Sequence, residues 1–335
     1  MPRGFSQAAD AVLGNRLGNP ASARRSVKPT AYKWSQWGDT PHYPGVPTQV
    51  LYGSGTVPTL LAPFGDPQYP RGDSAFLLNN KDKAGDYGLW TLTFSEELPY
   101  WRFTGDYFTG ITRDGVYGET WEITKSGELF GPLGSSYYVH YFSPLTFTSV
   151  AVRNPPAPNP GGFLFATSKT KTYSGSGAPG SQVMLLQTSP SQWPKGTWKQ
   201  MPFGAYQLSA DPDGEIIADL DSEGNVWEIK ATRNKSGKFI GWVIYPLNDV
   251  LCSRKSLGIS FLQVAVKKAT FLGLTYPGSG SYRMGVWYYD AKDTCWVKIG
   301  QKNNFVSIAV DPDIGNGQSL VWASDSNANI WYVAQ

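Results

Sequence analysis

Histidine and cysteine are almost missing from this chain: His42, His140, Cys252 and Cys295 are the whole supply among 335 residues. With no CxxC and no Cys/His set at ligand spacing, the usual zinc-site patterns are excluded. Neither histidine has a recognisable nucleophile partner and no GxSxG elbow exists, which removes the common hydrolase triads. Two cysteines do not make a disulfide scaffold, so Cys252 and Cys295 are expected to be buried free thiols. Charge is sparse as well, at 16% of residues where about 25% is usual. The balance of 29 Lys plus Arg against 26 Asp plus Glu leaves +3, too little by itself to imply nucleic-acid or membrane binding. No stretch approaches the roughly 18 apolar residues of a helical span. The opening Met1-Pro2-Arg3-Gly4-Phe5-Ser6 lacks the apolar core of a signal peptide, so synthesis in a cytoplasm is expected.

Abundant instead are turn formers and aromatics: 37 Gly, 25 Pro, 13 Trp, 19 Tyr and 16 Phe. They are not spread evenly. Residues 1–46 form an arm in which Arg3, Arg16, Arg24, Arg25, Lys28 and Lys33 meet one acid, Asp10, before Trp37, among Gly, Ser, Ala and Pro. Only Ala8 to Leu17 could make a short helix there. Such a segment has too little apolar surface to offset its own ordering entropy, and becomes ordered by lying on something else.

From residue 47 to 335 the pattern changes to short β-branched and aromatic runs separated by Gly, Pro, Asn and Asp, the mark of successive antiparallel strands. Cutting at each innermost strand gives segments 57–101, 107–142 and 146–202, then three more that begin near Tyr206, Phe261 and Phe305. Three to four strands per segment, at roughly 35 to 55 residues each, is the arithmetic of β-propeller blades. The fold class is therefore all-β: a propeller of six blades, with five or seven as alternatives. The last segment has room for three strands, and its fourth is assigned to Thr48-Gln49-Val50-Leu51-Tyr52, which closes the ring by joining the chain's two ends.

One phrase occurs twice. Ser209-Ala210-Asp211-Pro212-Asp213-Gly214 leads to Asp221-Ser222-Glu223-Gly224-Asn225-Val226-Trp227, and Ala309-Val310-Asp311-Pro312-Asp313-Ile314 leads to Asp325-Ser326-Asn327-Ala328-Asn329-Ile330-Trp331. Recurrence of one strand-turn-strand unit is a repeat signal. Trp121, Trp227 and Trp331 are assigned to one repeat position, as packing residues between blades. Thr120-Trp121-Glu122-Ile123-Thr124-Lys125-Ser126-Gly127-Glu128-Leu129-Phe130, and in part Gly224-Asn225-Val226-Trp227-Glu228-Ile229, resemble tectonin-type propeller repeats. That resemblance covers about half the blades and implies glycan binding as one function. The basic arm, low charge and irregular Gly/Pro-rich connections also resemble β-propeller nozzle or hub proteins of short-tailed bacteriophages. This second likeness implies a structural subunit of a virion tail.

The acidic run Asp219-Leu220-Asp221-Ser222-Glu223-Gly224 looks like the start of a calcium loop, but Lys230 stands where the twelfth-position Glu is needed, so it reads as a hairpin turn. The same hairpin resembles the Asp-box of sialidase-type propellers at Gly224 and Trp227, with Leu220 and Ser222 departing from it. Carboxylates such as Asp114, Glu119, Glu122, Asp211, Asp213, Asp311 and Asp313 are numerous enough for a glycosidase, yet nothing in their spacing pairs any two. Gly175-Ser176-Gly177-Ala178-Pro179-Gly180 satisfies GxGxxG as text without a helix to follow, and reads as a flexible loop tip. Arg71-Gly72-Asp73, preceded by Pro70, reads as a surface turn.

These residues predict a non-enzymatic structural and interaction module with no cofactor and no metal. The leading expectation is a subunit of a large symmetric assembly, a virion tail nozzle or hub, whose arm residues Arg3, Arg16, Arg24, Arg25 and Lys28 dock other subunits. DNA contact by the same arm is the lesser expectation. A glycan-binding lectin-like propeller is the alternative and a propeller glycoside hydrolase the third. Trp34, Trp37, Trp101, Trp193 and Trp198, off the repeat, are the candidate aromatic contacts.

Overall fold

The computed structural model describes residues 34–36, 60–61, 65–66, 69–70, 75–81, 87–94, 99–113, 120–133, 137–141, 145–152, 164–187, 196–211, 216–267, 270–275, 285–300, 304–310, 320–325 and 330–334. Every regular element among them is a strand. Beyond one two-stranded pair, Gly65–Asp66 with Tyr69–Pro70, they form six sheets of four or more strands.

The first sheet runs Leu60–Leu61, Ala75–Lys81, Tyr87–Phe94, Pro99–Phe108; the second Gly110–Arg113, Thr120–Ile123, Leu129–Leu133, Tyr137–Tyr141. The third holds Phe147–Val152, Leu164–Tyr173, Gly180–Gln187 and Thr197–Ala205, and the fourth Gln207–Ala210, Ile216–Leu220, Val226–Arg233 and Phe239–Pro246. In each, consecutive strands are antiparallel neighbours. The fifth sheet, from Phe261–Lys267 through Thr270–Thr275 and Val286–Asp290 to Cys295–Ile299, carries two further strands on its outer side. These are Val250–Leu251, parallel to Cys295–Ile299 through Leu251 and Trp296, and Arg254–Gly258.

The sixth sheet is Phe305–Val310, Leu320–Asp325 and Ile330–Ala334, joined on its outer side by Ser35–Gln36, with Ser35 opposite Tyr332 and Gln36 opposite Trp331. Sequence reasoning assigned that place to 48–52, which lies outside the described residues. Trp34 explains the choice: its ring stacks on Phe305 at 4.4 Å and its indole N–H donates to the Ile299 carbonyl at 3.0 Å. A buried indole with its one donor satisfied anchors the two residues that follow it.

The leading strands neighbour one another in sequence order. Gly110–Arg113 lies beside Phe147–Val152, that beside Gln207–Ala210, then Phe261–Lys267, then Phe305–Val310. Leu60–Leu61 touches both Phe305–Val310 and Gly110–Arg113.

Sheets stack face to face, and the two-residue period of a strand lets each serve two layers. In the third sheet Val150, Val152, Leu164, Ala166, Met184 and Leu186 pack on Trp121, Ile123 and Leu129 of the second. Their alternates Ala151, Phe165, Val183 and Leu185 pack on Leu208, Ile217 and Ile229 of the fourth. The same division places Ala218, Leu220 and Val226 against Val264, Val266 and Trp287, and Ala265, Leu272 and Val286 against Ile308, Val321 and Ala323. Strands covered on both faces read as unbroken apolar runs, which is why Ile216–Leu220 is buried along its whole length.

Candidate interaction surfaces

Side chains of the preceding sheet meet backbone amides on the leading strands of the fourth, fifth and sixth sheets. Leu208 N–H donates to Ser149 Oγ at 3.2 Å, Val264 N–H to Gln207 Oε1 at 2.9 Å, and Val266 N–H to Ser209 Oγ at 3.2 Å. Gln263 does both jobs, accepting from Ile308 N–H at 2.8 Å and donating to the Ile308 carbonyl at 3.0 Å. These polar side chains hold sheet to sheet.

The repeated phrase is a joint of the same kind. Asp221 Oδ1 accepts from Glu223 N–H and Asn225 N–H, both at 2.9 Å, and Oδ2 accepts from Asn225 Nδ2 and Trp227 Nε1, both at 3.0 Å. Four donors on one carboxylate make Asp221 the knot of the turn. Asp325 Oδ2 likewise accepts from Trp331 Nε1 at 2.9 Å. Gly224 then bridges to the fifth sheet, its carbonyl accepting from Phe261 N–H at 2.9 Å, and Gly127 does the same for Phe147 N–H at 2.9 Å.

Aligning these turns corrects the assignment of the tryptophans. The Gly224 and Gly127 turns superpose Asp221 on Thr124, since Asp221 N–H bonds the Asn225 carbonyl as Thr124 N–H bonds that of Glu128. Trp227 and Trp331 therefore share a position with Phe130, six residues after the turn's first. Trp121 shares a position with Trp322, three residues before it, and both are fully buried. Trp227 and Trp331 are only partly buried, because their indole N–H groups reach out to the turn carboxylates.

The same alignment puts Glu122 and Asp219 at one position, and both are fully buried. Asp219 stands between Leu208 and Trp227 on neighbouring strands, and neither of its oxygens has a hydrogen-bond partner among the described residues. Burial, reinforced by the Asp221 charge, pushes its carboxyl well above the ordinary 3.8.

The cysteines depart from expectation: Cys252 and Cys295 are joined in a disulfide. The link is local in space, since Leu251 pairs with Trp296, Cys252 N–H donates to the Trp296 carbonyl at 3.0 Å, and Trp296 Nε1 donates to that of Asn248 at 2.8 Å. Sequence separation of 43 hid this proximity. The GxGxxG segment is not a free loop tip either. Ala178 is fully buried, Gly177 N–H donates to Tyr173 Oη at 3.3 Å, and Gly204 N–H donates to the Ala178 carbonyl at 2.7 Å.

Of the candidate contact residues, Trp34 is taken into the core and Trp198 is half-buried, stacked on Phe147 at 4.7 Å. Trp101 lies on the outer strand of the first sheet. Trp37, Trp193, Arg3, Arg16, Arg24, Arg25 and Lys28 lie outside the described residues. Sequence reasoning missed the outer strand of the fourth sheet, Phe239–Pro246, where Phe239, Ile240 and Val243 are 44%, 64% and 42% exposed. Its signal was available: Phe-Ile-Gly-Trp-Val-Ile-Tyr-Pro holds no charged residue.

Four-stranded sheets standing face to face around neighbouring leading strands define a β-propeller. No protein-family model matches the chain, and no curated protein does. Solved structures do match. The β-propeller domain of Myceliophteria thermophila Cps50 (Swd1) is 9% identical, over 77% of this chain and 79% of that one, at a TM-score of 0.47. BBS1N, solved in complex with ARL6DN, is 10% identical, over 78% of this chain and 74% of that one, at a TM-score of 0.42. The likeness is one of fold.

Proposed function

We propose that the chain is a non-enzymatic interaction propeller of six blades, closed by pairing of Ser35–Gln36 with Ile330–Ala334, and a subunit of a large symmetric assembly of the bacteriophage-tail type. The observation that carries the reading is where polar chemistry has gone. Ser149, Gln207, Ser209, Gln263 and Asp221 are committed to joints within and between sheets, while an apolar strand is left bare at the rim. A ring built this way is a rigid platform with its contacts outside. The Cys252–Cys295 bridge suits a protein that works in an oxidising setting such as the exterior of a virion.

In this reading the basic arm docks a neighbouring subunit, through Arg3, Arg16, Arg24, Arg25 and Lys28. The test removes residues 2–31, a cut that stops short of Trp34 because Trp34–Gln36 belongs to the sixth sheet. The truncated chain should keep its far-ultraviolet circular dichroism and lose higher-order species in analytical ultracentrifugation. Unchanged assembly by the truncated chain refutes the docking role.

A further inference from the structure

The outer edges of three neighbouring sheets are finished in different ways. The third ends on Thr197–Ala205, whose exposed positions include Thr197, Lys199 and Gln200, an ordinary solvated edge. The fifth is covered by Val250–Leu251 and Arg254–Gly258 and pinned by the disulfide. The fourth ends on Phe239–Pro246, and among the described residues no strand pairs with its outer side. That edge is eight residues long, uncharged and apolar, interrupted only by a bulge at Ile240 and by Pro246 at its far end.

Its two faces differ. Trp242 and Ile244 turn inward onto the third sheet, Trp242 meeting Phe165 at 5.8 Å, and so hold the strand in place. Phe239 rests its ring on Trp242 at 5.4 Å yet stays largely open, and the register shift between Thr232 and Arg233 leaves Ile240 without an opposite residue. A bulged, exposed isoleucine next to an open strand edge is a foothold, not a core position.

Along the strand and the hairpin that leads into it, charge has one sign. From Ile229 to Pro246 the sequence carries Lys230, Arg233, Lys235 and Lys238 and no acid. Lys230 stands opposite Val243, and Lys230, Lys235 and Lys238 are exposed, while the Arg233 guanidinium bonds the Gly237 carbonyl at 2.9 Å. Glu228, the nearest acid along the chain, lies opposite Tyr245 at the far end of the strand. The chain's own basic arm is a poor occupant, since it would set cations beside cations.

We infer that this edge is a docking site for an extended acidic peptide segment of a partner protein, which adds to Phe239–Pro246 as a further strand. Main-chain hydrogen bonds to the open edge give affinity; apolar side chains cover Phe239, Ile240 and Val243; carboxylates meet Lys230, Lys235 and Lys238. The inference rests on reading the chain as an interaction module, but engages a different surface from the arm.

The test uses the full chain and a fluorescein-labelled, end-capped peptide of alternating Glu and Val, eight residues long to match the strand. Fluorescence anisotropy should show saturable binding that weakens with salt. Two variants read the two halves of the site: Ile240→Glu with Val243→Glu, and Lys235→Glu with Lys238→Glu. Each should weaken binding by about tenfold or more, with circular dichroism unchanged because all four side chains are exposed. A peptide N-methylated at alternate amides should not bind, since it cannot complete the ladder. Absence of binding at about millimolar peptide, equal binding by both variants, or equal binding of the N-methylated peptide overturns the inference. Binding of phosphatidylserine-containing vesicles through these residues, without binding of the peptide, overturns it in favour of a membrane surface. Edge binding lost with arm-dependent assembly intact, or the reverse, shows which of the two readings has failed.

Discussion

Replacing Gly224 by alanine tests whether the repeated turn joins sheets or only reverses the chain, because the molecule contains its own control. Gly224 and Gly237 close turns of the same build, Asp221–Asn225 and Asn234–Lys238, and have φ of +85° and +78°. A Cβ on Gly237 meets nothing within 4 Å, whereas one on Gly224 falls 2.8 Å from Ser260 Cβ and 2.9 Å from both the N and O of Phe261. Both substitutions bear the left-handed penalty of about 1–2 kcal/mol, partly offset by a stiffer unfolded chain, for a net cost of about 1 kcal/mol. Gly224→Ala adds overpacking against backbone that cannot swing away, about 1–3 kcal/mol, and weakens the bond from Phe261 N–H, about 1 kcal/mol. The two variants should therefore differ by about 2–4 kcal/mol. In urea, with a slope of about 3 kcal/mol/M for a chain of this size, their midpoints should separate by about 1 M. Gly127→Ala should follow Gly224→Ala, since its Cβ falls 2.9 Å from Phe147 N. Coincident midpoints for Gly224→Ala and Gly237→Ala refute the joint.

Asp219 gives a pH test. Its folded-state value lies above the unfolded 3.8, so the native carboxyl holds a proton that the unfolded chain releases, and its contribution to stability falls as pH rises above about 4. Asp219→Asn cannot ionise; its urea midpoint relative to wild type should rise between pH 4 and pH 7, and a difference independent of pH refutes the buried acid. Replacing both cysteines by serine should cost about 4 kcal/mol on the loop-entropy account of a 43-residue separation. Thiol titration of the unfolded, unreduced chain should find no free cysteine, and two free thiols would show the bridge absent.

The cutting points of the propeller were legible because blade boundaries coincide with changes in local pattern. The segments expected to begin near Tyr206, Phe261 and Phe305 do begin with the strands Gln207–Ala210, Phe261–Lys267 and Phe305–Val310. Turn chemistry was legible for the same reason, since Asp221 and Gly224 act within a few residues of themselves. What sequence reasoning misplaced were matters of distance. The wording of the phrase aligns Trp121 with Trp227, and only the hydrogen-bond pattern of the turn places it with Trp322.

Short strands in repeated units are legible in the residues alone, because strand period, turn residues and apolar runs are local properties. Tertiary structure decided everything that depends on which strand stands beside which. It placed Trp34 against Phe305 and Ile299, and so gave an edge of the sixth sheet to Ser35–Gln36. It brought Cys252 to Cys295 across 43 residues. It also covered the rim of the fifth sheet, while among the described residues no strand pairs with the outer side of Phe239–Pro246. An apolar strand reads the same whether buried or bare, and only its neighbours in space distinguish a core from a docking edge.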